Sequence, residues 1–285
     1  MTMRRKLPAV LTIAGSDSGG GAGIQADLRT FCAFQVYGCS AITAVTSQNP
    51  NEVRRVDILP VETVKSQLET ILSAIPVQFA KTGMLANREI IECVAAFAEK
   101  HHLRLVIDPV MVSTSGARLL EESAISAMKE QLFPLAEWIT PNIPEAELLS
   151  GRKINFLSDL SDAALALSEL FGCSVILKSG HMVNTEDAAD IICHNGQLYL
   201  LSSPRLAVSG NTSHGTGCTL SSALTANLAL GKSWDQAVME AKAFVYGSLA
   251  ENVCLSENLY QMFLPEKSYL NKISLSKDYS GMEAL

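Results

Sequence analysis

The chain has 285 residues, with 22 Lys and Arg against 29 Asp and Glu, for a net charge of -7. Apolar residues make up 48% and charged residues 18%, with a mean hydropathy of +0.20, which excludes intrinsic disorder for most of the length. An acidic chain whose one basic cluster is Arg4-Arg5-Lys6 lacks the stripe that nucleic acid requires, so nucleic acid is excluded as the main partner.

The basic start and the run Leu7–Leu11 imitate a secretory leader, but the run stops within a few residues in a Gly/Ser/Asp cluster and reads as a buried first strand, Ala9–Ala14. A helix follows, with Ile24, Leu28 and Phe31 at i, i+4 and i+7. Then come a strand over Cys39–Val45, a helix over 61–75, a strand over Gln78–Thr82 and a helix over 87–101 that Asn87 can cap. Leu105–Ile107 reads as a buried strand ending at Asp108-Pro109. Trp138–Thr140 ends at Pro141-Asn142, and Ser174–Leu177 ends at Lys178. Asn195-Gly196 between Asp190–His194 and Gln197–Leu201 is a two-residue hairpin signal. Helices over Gly217–Leu230 and Trp234–Leu249 close the pattern.

Strands alternating with helices, and strands apolar almost throughout, predict an α/β fold with a mostly parallel sheet, helices on both faces and an antiparallel edge. One domain is expected over 1–264, and the polar segment 265–285 is expected to be a loosely attached tail. The uncharged stretches 30–51 and 206–231 are broken by Ser, Thr, Asn and Gly, so no membrane span is expected. Seven cysteines without a C-x-x-C pair fit neither a disulfide framework nor a zinc ribbon, and predict a reducing, cytoplasmic setting.

Ligands in such sheets bind beyond the carboxyl ends of the strands. That rule selects the Gly-rich loop 15–23, Gln48, Asp108, Asn142, Lys178 and the loop 211–218. Gly21-x-Gly23-x-x-Ala26 formally matches a dinucleotide fingerprint, but the next strand ends in Thr46-Ser47-Gln48-Asn49 without the acidic residue that holds a ribose. Gly231-Lys232-Ser233 imitates the end of a phosphate loop, yet a helix precedes it and Ala226 stands where the first glycine belongs. The segment Asn211–Cys218 is different. It opens directly into a helix, and its small residues leave N–H groups free to converge on an anion, although a tight glycine turn and helix cap is the simpler reading of the segment alone.

Taken in order, Thr12–Asp27, Gln48-Asn49, Gly83-Met84-Leu85, Val106–Val112, Thr140–Glu147, Lys178-Ser179-Gly180-His181 and His214–Ser221 resemble the ribokinase-like fold and, within it, the hydroxymethylpyrimidine/phosphomethylpyrimidine kinases of thiamine biosynthesis. The resemblance covers roughly residues 9–250. It implies ATP- and magnesium-dependent transfer of a phosphoryl group to the hydroxymethyl group of an aminopyrimidine and then to its monophosphate. It assigns Cys218 as the base, with Gly215, Thr216 and Gly217 completing the anion hole through their backbone. A thiol at a helix N-terminus is expected to have a lowered pKa. Asp108 and Glu145 are the expected magnesium-organising pair, and Lys178 and Asn142 the nucleotide contacts. Gln48, Gly15 and Met84 are expected around the ring, while Asp27 either reaches the substrate or is a first-turn helix charge. Ser179, Thr114 and Asn51-Glu52 depart from the family pattern near the site. Pyridoxal kinase and a non-catalytic vitamin-precursor binding protein are the alternatives, and a homodimer is expected by analogy with the fold.

Overall fold

The computed structural model describes residues 6–111, 120–180, 187–208, 212–256 and 259–277. Thr114, His181, Asn211 and the Arg4-Arg5 pair lie outside the described residues. The first half runs β1 (Ala9–Asp17), α1 (Gly23–Ala33), β2 (Tyr37–Asn49), β3 (Glu52–Ile58), α2 (Val61–Ala74), β4 (Val77–Thr82), α3 (Arg88–Lys100), β5 (Arg104–Ile107) and α4 (Glu122–Ala127). The second half runs β6 (Ala136–Ile139), α5 (Ile143–Ser150), α6 (Leu157–Phe171), β7 (Ser174–Lys178), β8 (Asp187–His194), β9 (Gln197–Pro204), α7 (Thr216–Ala229), α8 (Trp234–Ala250), β10 (Val253–Ser256), β11 (Leu259–Gln261) and β12 (Ser274–Ser276).

Ten strands form one sheet in the order β12-β9-β8-β7-β6-β5-β4-β1-β2-β3. From β7 to β2 the neighbours are parallel, as the apolar strand runs predict. Two cores lie on its faces. Leu68, Ile90, Leu105, Phe133 and Leu167 fill one under α2 to α6, and Phe31, Trp138, Leu224 and Val238 fill the other under α1, α7 and α8. The chain leaves β1 toward β2 on one side and returns to β4 on the other. The crevice outside these carboxyl ends is where an open α/β sheet takes its ligand. Asn87 caps α3 as expected, accepting from the Ile90 N–H at 3.0 Å. Asn195 and Gly196 both have positive φ, the geometry of a tight hairpin turn.

The expected antiparallel edge is formed by β8 and β9, and a second one lies at the opposite side, where β3 folds back on β2. Every residue of β3 is exposed, so it has no buried face and no alternation to read. Its pairs Arg54–Glu52 and Arg55–Asp57, both 2.7 Å, lie two residues apart on solvent-facing sides. The segment after 264 is not a loose tail over 265–277. β12 pairs with β9, the Ser274 and Ser202 hydroxyls are 2.7 Å apart, Ile273 is buried in the second core, and Tyr269 donates to Glu251 at 2.7 Å. A short polar strand can be held this firmly because the sheet edge supplies its backbone partners and a single apolar residue anchors it. Among the described residues no helix is long and apolar enough to cross a membrane.

Replacing Ile273 by Ala is expected to cost about 2 kcal/mol of stability, the low end for a buried aliphatic truncation. Urea unfolding checks this: an unchanged midpoint would show that the closing strand contributes nothing.

Candidate active site

Two glycine loops meet outside the sheet. Gly215 is the N-cap of α7 with φ +85°, and a Cβ there would stand 1.9 Å from the Gly21 carbonyl oxygen. No side chain fits that approach, and the positive φ favours glycine independently. The Thr219 N–H bonds the Gly215 carbonyl at 2.9 Å and starts the helical ladder. The N–H groups of Gly217 and Cys218 come before it and have no carbonyl of the helix to donate to, so they form an anion-binding end reinforced by the helix dipole. Thr216 ties the turn through its hydroxyl to Ser213 O at 3.0 Å.

A charged cluster faces this end. Lys178 donates to Asp108 Oδ1 at 2.9 Å, Thr140 bonds the same oxygen at 3.2 Å, and a Cβ on Gly217 would lie 3.1 Å from Lys178 Nζ and 3.3 Å from Asp108 Oδ2. Burial works against the Lys178 charge, but Asp108 and Glu145 outweigh it and hold the ammonium above its usual range. Asn142 and Glu145 form a reciprocal capping box at the start of α5, each bond 2.9 Å, and Asn142 lies beside Lys178. Burial, opposed by Lys178 and helped by Asp108, pushes Glu145 up to about 7. Ser179 closes the end of β7. Its hydroxyl donates to Ala189 O, and its N–H donates to Asp190, which accepts from Lys242 at 2.7 Å. The departure from the family pattern at 179 therefore ties the end of β7, beside Lys178, to β8.

The ring-side residues gather around β1 and β2. A Cβ on Gly15 would come 2.7 Å from Met84 Cε, so Met84 packs directly over Gly15. The Gln48 N–H donates to Ser18 Oγ at 2.8 Å, and the Gln48 side chain lies 3.2 Å from His214 Nε2. Three residues without a role in the sequence reading complete this end. His214 Nε2 is also 3.1 Å from Asp17 Oδ2, and Asp17 accepts from the Gly19 and Ala22 N–H groups at 2.8 Å each. Burial opposes the Asp17 charge, yet His214 and those N–H groups hold its carboxyl below the usual range. Gln261 lies against Gly21 from β11. His214 and Asp17 both stood inside quoted motifs; only the fold shows that they touch across 197 positions.

Asp27 and Cys218 need correction. Asp27 is closed off from any substrate by its protein partners. It is fully buried, accepting from Thr12 at 2.5 Å, from Ser222 at 2.7 Å and from Lys81 at 2.9 Å through both oxygens. The Cys218 thiol is not lowered. Burial pushes it up to about 11, ahead of the opposing pull of Lys81 and of the Gly23 N–H aimed at the sulfur. A helix N-terminus lowers a thiol only where desolvation does not win.

A family model described as phosphomethylpyrimidine kinase matches residues 17–262. The hydroxymethylpyrimidine/phosphomethylpyrimidine kinase of Haemophilus influenzae is 47% identical over 247 residues, covering 85% of this chain and 90% of that one. The chain belongs to the phosphomethylpyrimidine kinase family. As a member of that family it is a kinase. Among solved structures, the phosphomethylpyrimidine kinase of Clostridium difficile 630 is 40% identical with a TM-score of 0.74, over 84% of this chain and 98% of its own. The pyridoxal kinase of Staphylococcus aureus in complex with pyridoxal is 33% identical with a TM-score of 0.85, over 95% and 99%; it has also been solved with ADP. The ribokinase-like fold expected from the motifs is thereby borne out.

A Gly215→Ala variant must push the two loops apart. Its kcat is expected to fall about 100-fold, the scale of a 1 Å misplacement at a reacting centre, with the fold retained by circular dichroism. A folded variant with wild-type kcat would show that the loop contact does not position the site.

Proposed function

We propose that the chain transfers the γ-phosphoryl group of ATP to the hydroxymethyl oxygen of 4-amino-5-hydroxymethyl-2-methylpyrimidine, and then a second phosphoryl group to the resulting monophosphate. The observation that carries this reading is the convergence of the α7 N-terminus, with Gly217 and Cys218, on Lys178 and Asp108 at the carboxyl ends of the strands. Phosphoryl transfer has a loose transition state in most analyses, so positioned donors and charge offset matter more than a strong base. The Gly217 and Cys218 N–H groups would hold the group in flight, and Lys178 would shift from Asp108 toward phosphate oxygens. Cys218, in its thiolate form, accepts the hydroxyl proton as the alcohol oxygen bonds to the γ-phosphorus; the bond from that phosphorus to the β-phosphate oxygen breaks, and ADP leaves with its electron pair. Gln48 offers a donor and an acceptor in one plane to the aminopyrimidine edge.

Magnesium fits the remaining donors. Asp108 and Glu145 are close enough for Asp108 to raise the Glu145 pKa, and a hard cation that keeps water and phosphate oxygens needs only one or two carboxylates. Among the described residues no group of three or more His, Cys, Asp or Glu forms a cage, which suits a cation shared with the nucleotide rather than one held by protein alone. Bound there, it would offset phosphate charge. The cap uses the Asn142 carboxamide oxygen, so its NH2 group is the part offered to the nucleotide. All seven cysteines are free thiols, which supports a reducing, cytoplasmic setting, and a homodimer belongs to the reading by analogy with the fold.

Pyridoxal is the second reading, and one observation favours it. The family model stops at residue 262, whereas the likeness to the S. aureus pyridoxal kinase spans 95% of this chain. ADP release with ATP, magnesium and each of the two pyrimidines or pyridoxal separates the two. Turnover of both pyrimidines is expected, with Gln48→Ala raising the pyrimidine KM at least tenfold. Preference for pyridoxal would replace the first reading, and silence with all three from folded protein would leave a binding protein.

A further inference from the structure

Asp190 and Lys242 form a buried pair that has no part in the reading above. Lys242 reaches from α8 and donates to Asp190 Oδ2 at 2.7 Å, while Oδ1 accepts the Ser179 N–H at 3.0 Å. A buried ion pair is a weak source of stability, because desolvating both charges offsets most of their attraction. The place of this one is more informative. Asp190 of β8 is the register partner of Lys178, the last residue of β7. Directly opposed residues of an antiparallel pair point to the same face, with Cβ atoms about 5 Å apart. Ile176 and Ile192, each two positions away along its strand, lie in the core under α7 and α8, so Lys178 and Asp190 face that side as well. Lys178 therefore stands between two carboxylates, Asp190 across the ladder and Asp108 on the other side. Its ammonium takes Asp108 Oδ1 at 2.9 Å, and a Cβ on Gly217 at the start of α7 would lie 3.1 Å from it.

We propose that Lys242 is a positioning residue of the transfer reaction: by occupying Asp190 it keeps that carboxylate from drawing Lys178 across the β7–β8 ladder, and so leaves the Lys178 ammonium committed to Asp108 and the start of α7, where the phosphate oxygens are held. The proposal rests on the reading of Lys178 as a nucleotide contact. Both oxygens of Asp190 are engaged. The Ser179 N–H ties one of them to the end of β7, and the Ser179 hydroxyl donates to Ala189 O beside it, so the carboxylate is pinned next to Lys178 and its charge must be matched where it stands. Lys242 matches it from α8. Without Lys242, the cation facing Asp190 in the ladder is Lys178, and a Lys178 ammonium turned to Asp190 is turned away from the nucleotide.

The test is calorimetric binding to the full chain of two probes taken separately: a non-hydrolysable ATP analogue with magnesium, and 4-amino-5-hydroxymethyl-2-methylpyrimidine. Lys242→Met is expected to weaken the analogue about tenfold, the scale of one charge-assisted hydrogen bond, with the pyrimidine Kd within about twofold of the wild type. Adding Asp190→Asn, whose carboxamide oxygen still accepts the Ser179 N–H, should bring the analogue Kd back to within about threefold. In a Lys178→Met background, Lys242→Met should cause no further loss, because the two residues act through one ammonium. If Lys242→Met does not fold, Lys242→Gln, which keeps a donor but not the charge, carries the same comparison. Both ligands weakening together, neither weakening, or a double variant that stays weak would overturn the role of Lys242 and leave it a structural residue. Wild-type analogue affinity in a folded Lys178→Met variant would overturn the nucleotide reading of Lys178, and the role of Lys242 with it.

Discussion

A carboxylate without access to water sits at the crossing of the elements that build this site. Asp27 is fully buried, so its charge must be matched inside the protein, and Thr12, Lys81 and Ser222 match it from β1, β4 and α7. Breaking such a pair by removing one partner typically costs about 3–5 kcal/mol, whereas replacing both by apolar groups can be neutral. The arrangement is therefore poor value as cement. What it does fix is register: α1, whose start carries the first glycine loop, and α7, whose start carries the second, cannot slide past one another without stranding a charge.

The glycine loops follow from that register. With the two helix starts held side by side, the chain before each must pass very close to the other, and Gly215 meets the Gly21 carbonyl where no Cβ fits. The close pass puts the N-terminal end of α7 against Lys178 and Asp108. Charge and donor array are thus brought together by one packing constraint. His214 then stitches the second loop to Asp17 and Gln48, and residues past 250 close over the first loop through Gln261.

Much of this was legible in the residues. Strand ends marked by Asp108-Pro109, Pro141-Asn142 and Lys178 point to one rim of a parallel sheet, and Asn195-Gly196 announces its hairpin. The losses have physical causes. β3 has no buried side and is paired only through its backbone, so no hydrophobic period betrays it. β12 is three residues long and borrows its order from β9. Asp27 reads as a helix charge because its partner is a lysine inside a strand, 54 positions away, and local spacing says nothing about such pairs. The Cys218 thiol was expected to be lowered by its helix; burial, which a sequence does not display, reverses the sign.

On the proposed reading, the γ-phosphoryl group is passed at the α7 N-terminus with the Cys218 sulfur as proton acceptor. Single-turnover transfer from γ-labelled ATP to the pyrimidine, with enzyme in excess, tests it without interference from product release. Cys218→Ala is expected to slow the transfer step at least about 100-fold, within the range of a lost general base, while binding ATP and the pyrimidine as tightly as the wild type. A transfer rate equal to that of the wild type would contradict it.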